Sequence, residues 1–289
     1  MNQNIVDFMI VGSMKSGTTL MYEDLLNCEK IFFPANKEPM SFTCDSILTD
    51  KGWRDYKRLF NNASGQLKGE ASTTYTMLPE FDGVVDRVRK RLSCSIKVIY
   101  LIRDPITRIE SHINHDYLAG RIIDLANFEF DINSKYLKVT EYYKQIKPWI
   151  DYVGVENVYI TTYENYTRNR LEEVQKVLQF LDVGIDRLIL DENRRSNPTQ
   201  GRLVPSGFIK RYITDNNYYK NYVKPLVPRF VKEVLARLLQ KKVTFTKYTL
   251  SEVDKDKIVQ ALSIDYRNLM SLTDKDFSEW SSFRRYYDD

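Results

Sequence analysis

The chain has 289 residues, near the upper size for one hydrophobic core, so a single domain with elaborations is the default expectation. Its 43% hydrophobic and 28% charged residues, with few glycines and prolines beside 20 Tyr and 14 Phe, exclude a disordered or fibrous chain. A formal charge of +4 suits an anionic ligand but not a dedicated nucleic-acid binder, and two histidines exclude a three-histidine zinc site within one chain.

The N-terminus, MNQNIVDFMIVG, has neither a basic n-region nor a long apolar run, so no secretory signal is expected. No stretch approaches the ~20 apolar residues that span a bilayer. Cys28, Cys44 and Cys94 lack metal-ligand spacing and cannot all pair among themselves. They read as reduced thiols in a cytoplasmic protein, where the sequons at Asn62 and Asn165 are chance matches.

The first informative element is FMIVGSMKSGTTLMYEDLL, from Phe8 to Leu26. It reads as a strand over 7–12, a glycine turn and a helix start. Gly12 and Gly17 have the spacing of a nucleotide-hydrolysing P-loop, G-x-x-x-x-G-K-S/T, but Thr18 stands where the lysine belongs and Lys15 lies inside the turn. Backbone amides of Ser16, Gly17, Thr18 and Thr19, with the positive end of the helix, would form an anion site. A lysine within the turn would reach over that anion toward a group being transferred.

Further β-rich runs follow at IKVIYLI (96–102) and NVYITTY (157–163), and helical patterns cover 80–92, 105–118 and 170–181. Apolar strands alternating with amphipathic helices predict βαβ units and a parallel α/β sheet, whose ligands sit beyond the carboxyl ends of the strands. Neither later strand ends in the aspartate that a magnesium-dependent NTPase requires. The second ends instead in Arg103-Asp104-Pro105, where Asp104 is a natural N-cap and Pro105 suits the first helical position. Arg103 would leave the strand at the ligand edge, with Ser111 two helical turns on. Guanidinium and hydroxyl together make a receptor for a second phosphate. Residues 191–207 read as a long basic loop, and the chain from about 215 onward as largely helical. The basic amphipathic stretch 218–242 reads as a packed helix with a solvated face. Two phosphate receptors at neighbouring strand ends describe a ligand with phosphates on both sides of one nucleoside, an adenosine 3′,5′-bisphosphate core.

These residues resemble the sulfotransferase family, which uses 3′-phosphoadenosine-5′-phosphosulfate (PAPS) and releases the bisphosphate PAP. Its 5′-phosphosulfate loop is similar to GSMKSGTTL and its 3′-phosphate motif to RDPITRIESHINHDY. The likeness extends toward the carbohydrate branch, typified by heparan-sulfate N- and 3-O-sulfotransferases and bacterial relatives. It runs through NKEPMSF (36–42), DKGWRDYKRLF (50–60), GEASTTYT (69–76), EYYKQIKPWI (141–150), NVYITTYENY (157–166) and LMSLTDKDFSEW (269–280), nearly the whole chain in the family's order.

The resemblance implies a P-loop-like parallel sheet flanked by helices, one sulfotransferase domain over 1–289 with a helical C-terminal part, and no metal. By position it implies that Lys15 stabilises the leaving phosphate oxygen. Ser16, Gly17, Thr18 and Thr19 would hold the 5′-phosphate, and Arg103 with Ser111 the 3′-phosphate. Glu38 would be the general base, because the histidine used by the steroid and phenol branch has no counterpart between the two phosphate motifs; His112 and His115 read as structural. The loop carrying Arg194, Arg195 and Arg202 falls where the family closes over the nucleotide. The implied acceptor is a hydroxyl, with an amine as the alternative, on a small molecule or an oligo- or polysaccharide and not on nucleic acid. Ala71, where heparan enzymes carry a lysine, and the lack of cysteines in the late loop set the chain apart from a heparan-like acceptor. The competing readings are a metal-dependent nucleotide kinase and a catalytically inactive glycan-binding module.

Overall fold

The computed structural model describes residues 5–184, 190, 203–205, 240–242 and 246–288. They fall into two compact units: Met1–Ile109, Asp131–Ser196 and Ser251–Asp289 make up the first, Glu110–Phe130 and Asn197–Leu250 the second. In chain order the elements are β1 (Phe8–Gly12), α1 (Thr18–Leu26), β2 (Ile31–Phe32), α2 (Asp50–Arg58), β3 (Leu67–Ala71), α3 (Val84–Arg91), β4 (Lys97–Ile102) and α4 (Pro105–Leu118). They continue as α5 (Lys135–Lys138), α6 (Tyr142–Val153), β5 (Val158–Thr162), α7 (Tyr163–Arg168), α8 (Arg170–Phe180), β6 (Leu203–Pro205), β7 (Gln240–Lys242), α9 (Glu252–Thr273) and α10 (Ser281–Tyr287).

The first unit is built on a five-stranded sheet in the order β2-β3-β1-β4-β5, every neighbouring pair parallel. All five carboxyl ends therefore lie along one edge. From β1 the chain goes to the outermost strand β2, returns to β3 beside β1, and then crosses to β4 and β5 on the other side. The reversal falls between β1 and β4, where open α/β sheets leave a crevice for ligands. β1 is buried at every position and β4 at all but its first, as expected for central parallel strands covered on both faces.

One core cluster packs Phe8, Ile10, Ile99 and Leu101 of the sheet against Met21 and Leu25 of α1 and Val174, Val177 and Leu178 of α8. Trp149 on α6 and Trp280 before α10 are fully buried. Helix α9 buries Ile258, Val259, Leu262, Tyr266 and Leu269, a three-and-four spacing that lays one stripe inward. Its Asp265 accepts the Tyr143 and Lys144 amides at 3.0 and 2.9 Å and so caps α6.

The observed β1, β4 and β5 match the expected strands within a residue at each end, and α4 spans the expected 105–118. β2 and β3 were not expected as strands. The second unit differs from the loop expected over 191–207, because Leu203–Pro205 pairs antiparallel with Gln240–Lys242. Those last three residues are strand where the stretch 218–242 reads as helix; the rest of that stretch lies outside the described residues. In the same unit the Asn114 side chain exchanges two hydrogen bonds with the Tyr248 backbone, at 3.0 and 2.9 Å.

Candidate active site

The glycine turn leaves β1 at the switch point. Ser13 donates its amide to the Leu101 carbonyl of β4 at 2.6 Å, and Ser16 turns back to the Ser13 carbonyl at 3.2 Å. Ser13 and Ser16 are fully buried with hydroxyls 2.6 Å apart, so the base of the turn is tied internally. Gly17 caps α1 at φ 88°, and its carbonyl accepts the Leu20 and Met21 amides. The first-turn amides at Thr18 and Thr19 have no intrahelical partner by helix geometry, and they carry the positive end of the helix dipole. Thr18 is buried and Thr19 exposed. Lys15 at the crest has φ 71°, a conformation that few residues with a side chain adopt.

Arg103 arrives from β4. Its guanidinium donates from Nη1 to the Lys15 carbonyl at 3.3 Å and from Nε to Thr107 Oγ1 at 3.2 Å, and it lies 4.7 Å from the centre of the Tyr163 ring. The same ring lies against Gly17, where an added Cβ would come within 2.6 Å of it. The two expected anion receptors thus share a wall. Beneath the turn, fully buried Arg108 donates to the Met14 carbonyl at 3.1 Å, to the Tyr136 carbonyl at 3.1 Å and to Thr140 Oγ1 at 2.6 Å. It props the loop from inside.

Asp104 caps α4 as expected: one carboxylate oxygen accepts the Ile106 and Thr107 amides at 3.0 and 3.1 Å. Its other oxygen accepts Ser282 and Phe283 at the start of α10, at 2.8 and 3.0 Å. Burial pushes the Asp104 carboxyl up, and these four amides pull it back. Glu164, also pushed up by burial, accepts the Asp104 amide at 3.2 Å.

Glu38 lies beyond β2, its side chain about a third exposed at 34%. Lys37 Nζ bridges it to the glycine turn, 3.3 Å from Glu38 Oε1 and donating to Thr19 Oγ1 at 2.8 Å. From β3's end, Thr73 Oγ1 donates toward Glu38 at 3.3 Å. Lys15, Ser16, Gly17, Thr18, Thr19, Glu38 and Arg103 therefore belong to one strand-end edge of the first unit. Ser111 belongs to the second unit, where it is partly exposed on α4. Nearby in that unit His112 is buried 3.9 Å from Asp116, which also takes an ion pair from Arg121 at 2.6 Å. Arg194, Arg195 and Arg202 lie outside the described residues.

Sequence reading missed Lys37, Thr73, Arg108, Tyr163 and Glu164. Each sits inside a segment with a family likeness, which is the only signal that could have found them. Their roles depend on partners distant in sequence.

The sequence model of the Sulfotransferase domain family matches residues 6–243. The luciferin sulfotransferase of Photinus pyralis is 26% identical over 178 residues, 54% of this chain and 46% of that protein. The heparan sulfate glucosamine 3-O-sulfotransferase 5 of Mus musculus is 26% identical over 194 residues, 63% of this chain and 54% of that one. The chain thus spans about half the length of these relatives. A crystal structure of a sulfotransferase from Alicyclobacillus acidocaldarius shares the fold at TM-score 0.66 and 20% identity, covering 96% of this chain and 98% of its own.

Proposed function

The chain belongs to the sulfotransferase family, and from that premise we propose that it transfers the sulfuryl group of PAPS to a hydroxyl, or to an amine, of a carbohydrate acceptor. The observation that carries this reading is the 3.3 Å contact between the Arg103 guanidinium and the Lys15 carbonyl at the β1–β4 crevice. It sets a fixed cation beside a turn of helix-end amides, as a nucleoside with phosphates on both sides requires. Gly17 suits the same turn, because the Tyr163 ring packs against it and leaves no room for a side chain. Ser16, Gly17, Thr18 and Thr19 would hold the 5′-phosphate, and Arg103 the 3′-phosphate.

PAPS as co-substrate supplies the sulfuryl group and a bisphosphate leaving group. Transfer would break the bond from sulfur to the bridging phosphate oxygen and form one from sulfur to the acceptor oxygen or nitrogen, and the acceptor proton would go to Glu38. Lys15 would meet the charge that builds on the departing oxygen, so positioning and electrostatics provide most of the acceleration. Thr73 and Lys37 hold the Glu38 carboxylate at the same edge. No metal enters the scheme, and the reading takes 1–289 as a single cytoplasmic sulfotransferase domain.

The test compares thermal stabilisation by PAP with that by ATP and magnesium. A ligand at 100 times its dissociation constant adds about 2.7 kcal/mol of stability. The expected result is a shift with PAP alone. A shift only with ATP and magnesium would replace the reading with a kinase, and binding of PAP without turnover of PAPS would leave a binding module.

A further inference from the structure

The segments DKGWRDYKRLF and GEASTTYT meet at one buried carboxylate. Glu70 on β3 is fully buried, and three hydroxyls converge on it: Tyr56 Oη at 2.6 Å, Tyr75 Oη at 2.5 Å and Ser72 Oγ at 3.0 Å. Burial pushes this carboxyl up while the three donors pull it down. Two of those hydroxyls also act as acceptors. Ser72 Oγ takes the Met40 amide at 3.2 Å, and Tyr75 Oη takes the Phe42 amide at 3.2 Å.

A hydroxyl has one proton. With that proton committed to Glu70, the lone pairs of Ser72 and Tyr75 are turned toward the two amides. The carboxylate thereby orients both acceptors, and both tether the segment that follows Glu38. Met40 sits there at φ 55°, a conformation uncommon for a residue with a side chain, and it opens the one-turn helix Ser41–Thr43. The next residue of the same strand end, Thr73, donates directly to Glu38. One short stretch from Glu70 to Tyr75 therefore holds Glu38 both by its carboxylate and by the backbone beyond it.

We propose that Glu70 is a positioning residue that acts through the Ser72 and Tyr75 hydroxyls to fix residues 40–42 and so aim Glu38 into the site. What Glu38 does there rests on the function proposed above; the tether itself does not.

The test measures single-amide hydrogen exchange by nitrogen-15 NMR on the full chain, together with PAP affinity and the release of PAP and sulfate from PAPS with water as acceptor. Ser72→Ala should speed exchange at Met40 about tenfold and spare Phe42, and Tyr75→Phe should do the reverse. Glu70→Gln should speed both, and it should slow PAPS turnover about tenfold while PAP affinity stays within twofold. If Glu70→Gln fails to fold, the two hydroxyl variants decide. Unchanged exchange at Met40 and Phe42 in all folded variants would overturn the proposal, as would faster exchange spread evenly over the sheet. Failure of the unmodified chain to bind PAP would remove the functional reading and leave the exchange result standing.

Discussion

Gly17→Ala perturbs both proposed receptors through one methyl group. A Cβ at this position would stand 2.6 Å from Tyr163 Cδ2 and 3.1 Å from Cε2, and φ is +88°. The left-handed conformation costs a residue with a side chain about 1–2 kcal/mol, and displacing a packed ring adds about 1–3 kcal/mol. The ring is not at liberty to swing away, because the Arg103 guanidinium lies 4.7 Å from its centre. Gly65 is the matched control: φ is +72°, but a Cβ there meets nothing within 4 Å. Gly65→Ala should therefore cost only the conformational part, about 1–2 kcal/mol. With ~2–4 °C of melting temperature per kcal/mol, scanning calorimetry should show Gly17→Ala lower by about 4–20 °C, the larger loss of the two, and Gly65→Ala by about 2–8 °C. Titration calorimetry should show PAP binding weakened about tenfold by the first and unchanged by the second. Equal effects of the two substitutions on both readouts would refute the idea that Gly17, Tyr163 and Arg103 act as one wall.

Arg103→Lys keeps the charge but cannot reproduce the fork that serves Thr107, the Lys15 carbonyl and the Tyr163 face together, so PAP affinity should fall at least about tenfold; undiminished affinity in a calorimetric titration would exclude that geometry. Glu38→Gln should lower sulfuryl transfer by ~10²–10⁴-fold with PAP affinity intact, and retained turnover would remove Glu38 from the role of base. Burial, partly offset by the Lys144 and Tyr143 amides, raises the Asp265 carboxyl to about 6. The folded chain then holds this proton more tightly than the unfolded chain, so stability falls as pH rises from about 4 to about 6, by on the order of 1–3 kcal/mol. Urea titrations across that range should show the slope weakened by Asp265→Asn, and identical profiles for the two proteins would contradict it.

The parts of the fold legible in sequence are those that local chemistry determines. β1 and β4 announce themselves because central parallel strands are apolar on both faces, and α4 because Asp104 and Pro105 mark its start. Lys15 and Arg103 could be brought together on paper because a parallel sheet puts every carboxyl end on one edge. β3 escaped because LKGEA carries a lysine and a glutamate, and the hydroxyls that allow Glu70 to be buried come from Tyr56, Ser72 and Tyr75 rather than from the strand itself. Arg108 escaped for the same reason, since its acceptors lie at Met14, Tyr136 and Thr140. The antiparallel pair at Leu203–Pro205 is too short to show alternation, and its partner is distant in sequence.

The root of Arg103 is held through its backbone on both sides of the side chain. Tyr142 Oη donates to the Arg103 carbonyl at 2.6 Å and accepts its amide at 3.3 Å, so α6 fixes the residue on both sides. Glu164 at the start of α7 takes the next amide, and the Asp104 carboxylate is shared between the starts of α4 and α10. A buried carboxylate with four amide donors at two helix starts has its charge met by aligned dipoles, which offsets the cost of removing it from water. The guanidinium therefore swings from a fixed point set by three elements besides β4 and α4. In the proposed reaction this lowers the reorganisation needed when the nucleotide arrives. It also gives the C-terminal segment around Trp280 a physical link to Arg103: loosening α10 releases half of the Asp104 clamp, and with it the anchor of Arg103.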